Sequence, residues 1–388
     1  MSAAAVTRVT RQSWISRLGD SIKGILFGLV LIVGSIVVLF WNEGRSVKRY
    51  KDLKEGAGVV VSVNSDRVDA TLEGSLIHTS GMANTQSTLK DPLFDVSVNA
   101  LRLERFVEMY QWEETSSTKT EKKLGGATET VTTYDYRKTW HSGRIDSDAF
   151  QETAGHQNPE MALDKVSLTA SDVTLGDFHL TPMLVDKISN FQSLSLGEQV
   201  PTPTSLNRKM STTGDTLFVG ENQGQPQVGD LKIRFRYVAP QNVSVIAAQS
   251  MNGFEPYKTS RGGTILEIKT GLLSAEEMFA QAQASNRMIT WLIRLGGFVL
   301  MGIGFGMLFR PLSVMGDVVP FIGNIIGAGT GFVGFLLAAI LSLITIAIAW
   351  FVYRPVLGIG LLVFAGFLVY WLKTRVSRKK TDNPLQTA

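Results

Sequence analysis

The chain turns apolar from Gly24 to Trp41, stays polar for roughly 245 residues, and closes on an almost unbroken apolar block from Ile289 to Leu372. That layout predicts a multi-pass membrane protein with one large water-facing domain. Gly24 to Trp41 is 18 residues without a charge, close to the roughly 20 needed to cross a hydrocarbon core of about 30 Å. The stretch runs into Phe40, Trp41, Asn42 and Glu43 rather than into a small-residue cleavage site. It therefore reads as an uncleaved anchor with an aromatic interface residue, not as a secretory signal.

The C-terminal block is too long for one helix and divides at its punctuation. Ile289 to Phe309 forms one predicted span, ended by Arg310-Pro311. Val318 to Val352 is apolar for about 35 residues, and its first half is rich in glycine. Residues 310–329 are read as a loop with a glycine-rich interfacial or re-entrant segment, and residues 330–352 as the third span. A single long tilted helix over 318–352 is the competing reading. Arg354-Pro355 makes a tight reversal, and the fourth span follows over 355–372.

Charge bias gives an expected topology. The N-terminal tail, residues 1–23, carries Arg8, Arg11, Arg17 and Lys23, and the C-terminal tail, residues 373–388, carries Lys373, Arg375, Arg378, Lys379 and Lys380. Both tails are expected in the cytoplasm, which places residues 42–288 across the membrane, in a periplasm or a lumen. The cluster Arg45, Lys48, Arg49, Lys51 and Lys54 argues the other way, but long domains translocate largely regardless of charge. The chain has no cysteine, so the exported domain is held without disulfides.

Inside that domain the period-2 pattern dominates. Leu231, Ile233, Phe235 and Tyr237 alternate with Lys232, Arg234 and Arg236, which predicts a strand with one buried face. Weaker strand patterns cover 59–63, 75–79, 95–103, 131–140, 243–248 and 265–269. Thr181-Pro182 predicts a helix over 183–191. Ser274 to Glu277 forms a capping box for a helix that continues into the second span. The polar segment Thr115 to Thr130, with its Gly125-Gly126 pair, reads as a mobile hairpin tip or loop. The expected fold class is an α+β extramembrane domain with mostly antiparallel sheet, plus four transmembrane α-helices, one N-terminal and three C-terminal.

The residues offer little chemistry. His78, His141, His156 and His179 share no zinc-type spacing, and there is neither a Gly-x-Ser-x-Gly elbow nor a phosphate loop. No catalytic residue, metal ligand, cofactor or nucleic-acid partner is expected. Gly302, Gly304 and Gly306 lie mid-membrane and are a packing feature. The pairs Gly24/Gly28, Gly302/Gly306, Gly323/Gly327 and Gly327/Gly331 are each four apart, which puts two small residues on one helix face. They suit helix packing within the chain or lateral association. Glu43, Arg45, Arg294 and Arg354 form an expected charge cluster at the membrane interface. Arg294, set in apolar sequence, must either snorkel to the head groups or meet a carboxylate, with Glu43 the candidate.

Longer motifs carry a resemblance. Val107 to Glu114, Tyr134-Asp135-Tyr136 to Trp140 and Gly155-His156-Gln157-Asn158-Pro159 resemble the transmembrane protein 43 (LUMA) family. So do Trp41 to Arg45, Gln227 to Asp230, Ser342-Leu343 to Trp350, and Tyr353-Arg354-Pro355. The resemblance covers nearly the whole chain in order. It implies a four-span protein of the endoplasmic reticulum and inner nuclear membrane in animals, with bacterial relatives in the cytoplasmic membrane. It also implies self-association, and emerin and lamins as partners only in an animal host. The lack of cysteine and the modest length favour a bacterial member; the sequon Asn242-Val243-Ser244 matters only in a lumen.

Two functional readings follow. In the first, a non-enzymatic scaffold self-associates and organises membrane protein complexes or envelope structure, with the lipid bilayer and other membrane proteins as partners. In the second, the protein is a pore, a transporter component or a regulatory subunit of a channel. Arg294 is the only charge well inside a predicted span, which favours the scaffold.

Overall fold

The computed structural model describes residues 5–196, 206 and 208–355. Its elements fall into two compact units, one of residues 1–10, 52–121 and 129–282, the other of residues 11–51, 122–128 and 283–388.

The first unit is built on two sheets. In chain order its main strands are β1 (Val6–Gln12), β2 (Leu76–Asn84), β3 (Arg102–Lys122), β4 (Thr128–His141), β5 (Met210–Thr213), β6 (Thr216–Val219), β7 (Leu231–Val238), β8 (Gln241–Ser250) and β9 (Glu267–Thr270). The eight-stranded sheet runs β1-β4-β3-β7-β6-β5, and two short strands, Val166–Thr169 and Gln192–Ser193, add to β3 and β7. β7 opposes β3 antiparallel, with Ile233 facing Val107 and Leu231 facing Met109. The alternation predicted for β7 is present: Leu231, Ile233 and Phe235 are buried with Leu103, Val107, Leu217 and Phe94, while Arg234 and Arg236 are exposed. The seven-stranded sheet centres on β8, flanked by β2 and, over part of its length, β9. Its parallel contact pairs Val61 and Ser62 with Ile77 and His78. Mixed helix and antiparallel sheet is thus the fold class.

Three helices in the described residues are long and apolar enough to cross a membrane: α1 (Trp14–Val59), α3 (Ala275–Gly316) and α4 (Pro320–Tyr353). α2 (Pro182–Val185) is a single turn. The predicted fourth span lies outside the described residues, apart from Pro355. In the first unit, the end of α1 and the start of α3 share an apolar cluster of Leu53, Leu76, Ile246, Ile265, Met278 and Phe279. The capping box forms as predicted, with Ser274 N–H donating to Glu277 and Glu277 N–H to Ser274 Oγ.

Several expectations are corrected. α4 runs unbroken from Pro320, so residues 318–329 are not a re-entrant segment separate from the span at 330–352. Gly323 and Gly327 serve close packing: a Cβ at Gly323 would strike Asp317, and one at Gly327 would lie 2.9 Å from Ser313 Oγ. Arg310-Pro311 does not end the second span, since α3 passes through Pro311 to Gly316; a proline removes one hydrogen bond, which a long helix survives. The helix expected over 183–191 stops at Val185, and its Thr181 cap makes no side-chain hydrogen bond.

Of the two readings of Thr115 to Thr130, the hairpin tip holds and the loop does not, since only residues 123–127 lie between the strands. β3 continues to Lys122 and β4 begins at Thr128, because β-branched threonines pair across the ribbon: Thr118 with Thr132 at 3.4 Å and Thr120 with Thr130 at 3.0 Å. Within the N-terminal tail, Val6–Gln12 forms an edge strand beside β4. In the second unit Asp317 holds both Lys122, at 2.6 Å, and Arg17, one of the basic residues of the N-terminal tail.

His78 on β2 makes the first unit acid-sensitive. Its ring is buried between Ser62 Oγ at 3.2 Å and the Leu273 carbonyl at 2.9 Å. Burial pushes its pKa below the usual 6.5, against the raising effect of the Leu273 bond. The unfolded chain therefore takes up a proton first as pH falls. Stability is full above about pH 6.5 and declines below it by up to roughly 1.4 kcal/mol per pH unit, until the folded ring also titrates. Unfolding curves between pH 7.5 and 5.5 are expected to show this slope, and His78→Gln to flatten it.

Candidate functional site

The second unit contains a polar knot among its apolar helices. α1 supplies Asn42, Glu43, Arg45 and Ser46, just past its apolar stretch. α3 supplies Asn286, Thr290 and Arg294, which at four-residue spacing form one stripe. α4 supplies Trp350. Asn42 and Glu43 are fully buried, and Ser46, Asn286 and Thr290 are buried with them.

Arg294 grips Glu43 in a two-point fork, Nε to Oε1 at 2.6 Å and Nη2 to Oε2 at 2.8 Å. Trp350 Nε1 donates to Glu43 Oε2 at 2.9 Å, so one carboxylate joins all three long helices. The guanidinium carbon of Arg294 also lies 4.8 Å from the Trp291 ring centre and 5.7 Å from that of Trp350. A paired, stacked guanidinium is the form in which a charge is tolerated at low dielectric. A second set of bonds runs alongside. Asn42 donates to the Thr290 carbonyl at 3.1 Å, Asn286 donates to the Ser46 carbonyl at 2.9 Å, and Arg45 binds Asn42, Asn286 and Thr290 at 3.2 Å each.

Of the four charges expected at the interface, the structure brings Glu43 and Arg294 into contact. Arg354 reaches the Trp350 ring at 5.7 Å, and Arg45 is held by neutral acceptors. Sequence reasoning missed Asn42, Asn286, Thr290 and Trp350. The stripe Asn286-Thr290-Arg294 in an apolar helix was the available signal. Gly44 is also part of the site, since a Cβ there would lie 2.6 Å from the Tyr353 ring.

The glycine pairs divide. Gly28 and Gly304 face each other so closely that a Cβ on either would meet the other's carbonyl at 2.7–2.8 Å. A Cβ at Gly323 would meet Asp317, one at Gly327 would meet Ser313, and one at Gly334 would meet Phe305 and the Gly306 backbone. A Cβ at Gly24, Gly302, Gly306, Gly329 or Gly331 would meet no other element within 4 Å among the described residues.

A second polar cluster in the same unit gathers around Asp317. This buried carboxylate binds Arg17 at 2.5 Å and Lys122 at 2.6 Å, and Lys122 also binds Asn324 at 2.8 Å. Arg17 donates to the Gly126 carbonyl, Gly125 N–H to the Val318 carbonyl at 3.0 Å, and Trp14 Nε1 to the Val314 carbonyl at 2.8 Å. Gly126 sits at φ +79° against the Trp14 ring, where a side chain would clash.

In the first unit the aromatic residues of β3 and β4 pack on their own sheet: Tyr110 lies 5.1 Å from Trp140, and Tyr136 stacks on His156 at 4.0 Å. Lys232 lies over Trp140 and Arg234 over Phe106. Burial, with the hydrogen bond to Glu114, pushes Tyr136 up to about 12. These are packing roles.

Long apolar helices knotted by a buried ion pair, in a chain that also folds a sheet-rich unit, define an integral membrane protein of mixed α and β structure. The sequence profile described as transmembrane protein 43 matches residues 109–355. Mouse transmembrane protein 43 is 34% identical over 391 residues, covering 97% of this chain and 96% of its own. The human protein of that name is 34% identical over 385 residues, covering 96% and 95%. The fruit-fly homolog is 29% identical over 356 residues, covering 89% and 93%. The chain belongs to the transmembrane protein 43 family. These relatives are named as a membrane protein, not as an enzyme. No solved structure matches the chain.

Proposed function

We propose that the protein is a non-enzymatic membrane scaffold that self-associates and holds other membrane proteins together. The observation that carries this reading is a set of open helix glycines, among them Gly24, Gly302, Gly306, Gly329 and Gly331, where an added Cβ would meet nothing within 4 Å among the described residues. Gly28 and Gly304 use their missing side chains for contact inside the unit; the open ones leave the same opportunity for a helix from outside. The knot at Glu43 suits such a role, because a partner docks best on helices that do not shift.

Cross-linking in native membranes and mass measurement of the detergent-purified chain test the proposal. The expected species are multiples of the 42.5 kDa chain, with Gly24→Leu and Gly331→Leu shifting the distribution toward the single chain. A protein that runs only as a single chain and cross-links to nothing would refute the scaffold reading.

A further inference from the structure

The three long helices carry the same two-residue device at the same end. Trp41 is followed four residues later by Arg45 on α1. On α4, Trp350 is followed four residues later by Arg354, which caps the helix with its N–H on the Trp350 carbonyl at 2.8 Å. On α3, which runs the opposite way, Trp291 is preceded four residues earlier by Arg287. In each case the arginine lies one turn, about 6 Å along the axis, to the same side of its tryptophan. The levels match because Asn42 bonds Thr290, and Glu43 bonds both Arg294 and Trp350.

Tryptophan settles at the boundary between acyl chains and head groups. Trp41 and Trp291 are 58% and 67% exposed, on helices whose apolar positions are exposed too. An arginine one turn beyond such a ring lies at the level of the lipid phosphates. None of the three has a carboxylate partner among the described residues. Arg45 is bound by two amide oxygens and a hydroxyl, and its buried Nε has no partner. Among the described residues the Arg354 side chain touches the Trp350 ring, and Arg287 is exposed. The acid at this level, Glu43, makes its salt bridge with Arg294. Among the described residues at this level, Arg45, Arg287, Arg294 and Arg354 stand against the one carboxylate of Glu43, so the collar is net cationic.

We infer that Arg45, Arg287 and Arg354 form a collar that binds the head-group phosphates of anionic phospholipid. A membrane lipid is favoured over an acidic protein segment because each cation stands beside a tryptophan at the boundary of an apolar surface. The inference stands apart from the scaffold reading, since it needs only that these helices meet a bilayer.

The test reconstitutes the full chain in vesicles of equal phosphatidylglycerol and phosphatidylcholine, extracts it in mild detergent, and measures the ratio of the two lipids retained. Wild-type protein is expected to retain phosphatidylglycerol in excess. The excess should fall about fivefold for each arginine replaced by glutamine, which is what roughly 1 kcal/mol per cation near a charged surface implies. Among the described residues Arg287→Gln and Arg354→Gln remove no side-chain hydrogen bond, so these variants are expected to keep the fold even if Arg45→Gln does not. An unchanged ratio in the double variant Arg287→Gln/Arg354→Gln and in Arg45→Gln would overturn the collar. Displacement of the lipid by millimolar inorganic phosphate would reassign it as a site for free anions. Retention of an acidic protein in place of lipid would also overturn it.

Discussion

Glu43→Gln is expected to destabilise the solubilised protein by about 3–5 kcal/mol, because it leaves the Arg294 guanidinium without its counter-charge in a region with little water to replace it. Trp350 keeps an acceptor in the amide oxygen, so the loss belongs to the ion pair rather than to the indole bond. Thermal unfolding in detergent, followed by tryptophan fluorescence, reads it directly. Arg294→Met in the same protein should return a large part of the loss, since an apolar side chain of similar length needs no partner. A midpoint for Glu43→Gln within experimental scatter of the wild type would show that Arg294 is satisfied by solvent or head groups.

Asp317→Asn is the second large effect. One carboxylate holds Arg17 and Lys122, and the amide leaves two cations facing a neutral group. The cost is about 3–5 kcal/mol where the site stays closed, less where the tip opens and the cations reach water. Opening has its own signature, because Lys122 and Lys123 lie at the hairpin tip. Limited trypsin digestion of Asp317→Asn should cut there well before the wild type is cut. Equal digestion rates would mean that backbone bonds such as Gly125 N–H to the Val318 carbonyl hold the tip without the charges.

The apolar positions of the chain made the long helices legible, since an uncharged run of this length has few soluble uses. The alternation around Ile233 made the buried sheet face legible for a similar reason: period 2 and period 3.6 cannot be confused over four turns of the pattern. The helix ends were misread because Pro311 and the glycines of α4 are breakers only where nothing compensates them. Here Gly323 and Gly327 are kept small by Asp317 and Ser313. At Thr115 to Thr130 the glycine pair marked the hairpin tip, but polarity concealed how far the strands run into it, although threonine favours a pleated ribbon.

At the site, Arg294 and Glu43 could be singled out because a charge in apolar sequence needs a partner. The neutral members could not, for asparagine and threonine carry no such alarm by themselves. Their spacing did carry it: Asn286, Thr290 and Arg294 recur every fourth residue, and Trp41, Trp291 and Trp350 each have an arginine four positions away. Only the knowledge of which helix ends meet turns those spacings into one level.

A double-mutant cycle on Glu43 and Arg294 tests the central claim that one ion pair locks the long helices. The unfolding free energies of the wild type, Glu43→Gln, Arg294→Met and the double variant are compared. The account predicts a coupling energy well above the roughly 0.5 kcal/mol within which independent sites add, with the double variant more stable than Glu43→Gln alone. Single-variant losses that simply sum in the double variant would contradict it.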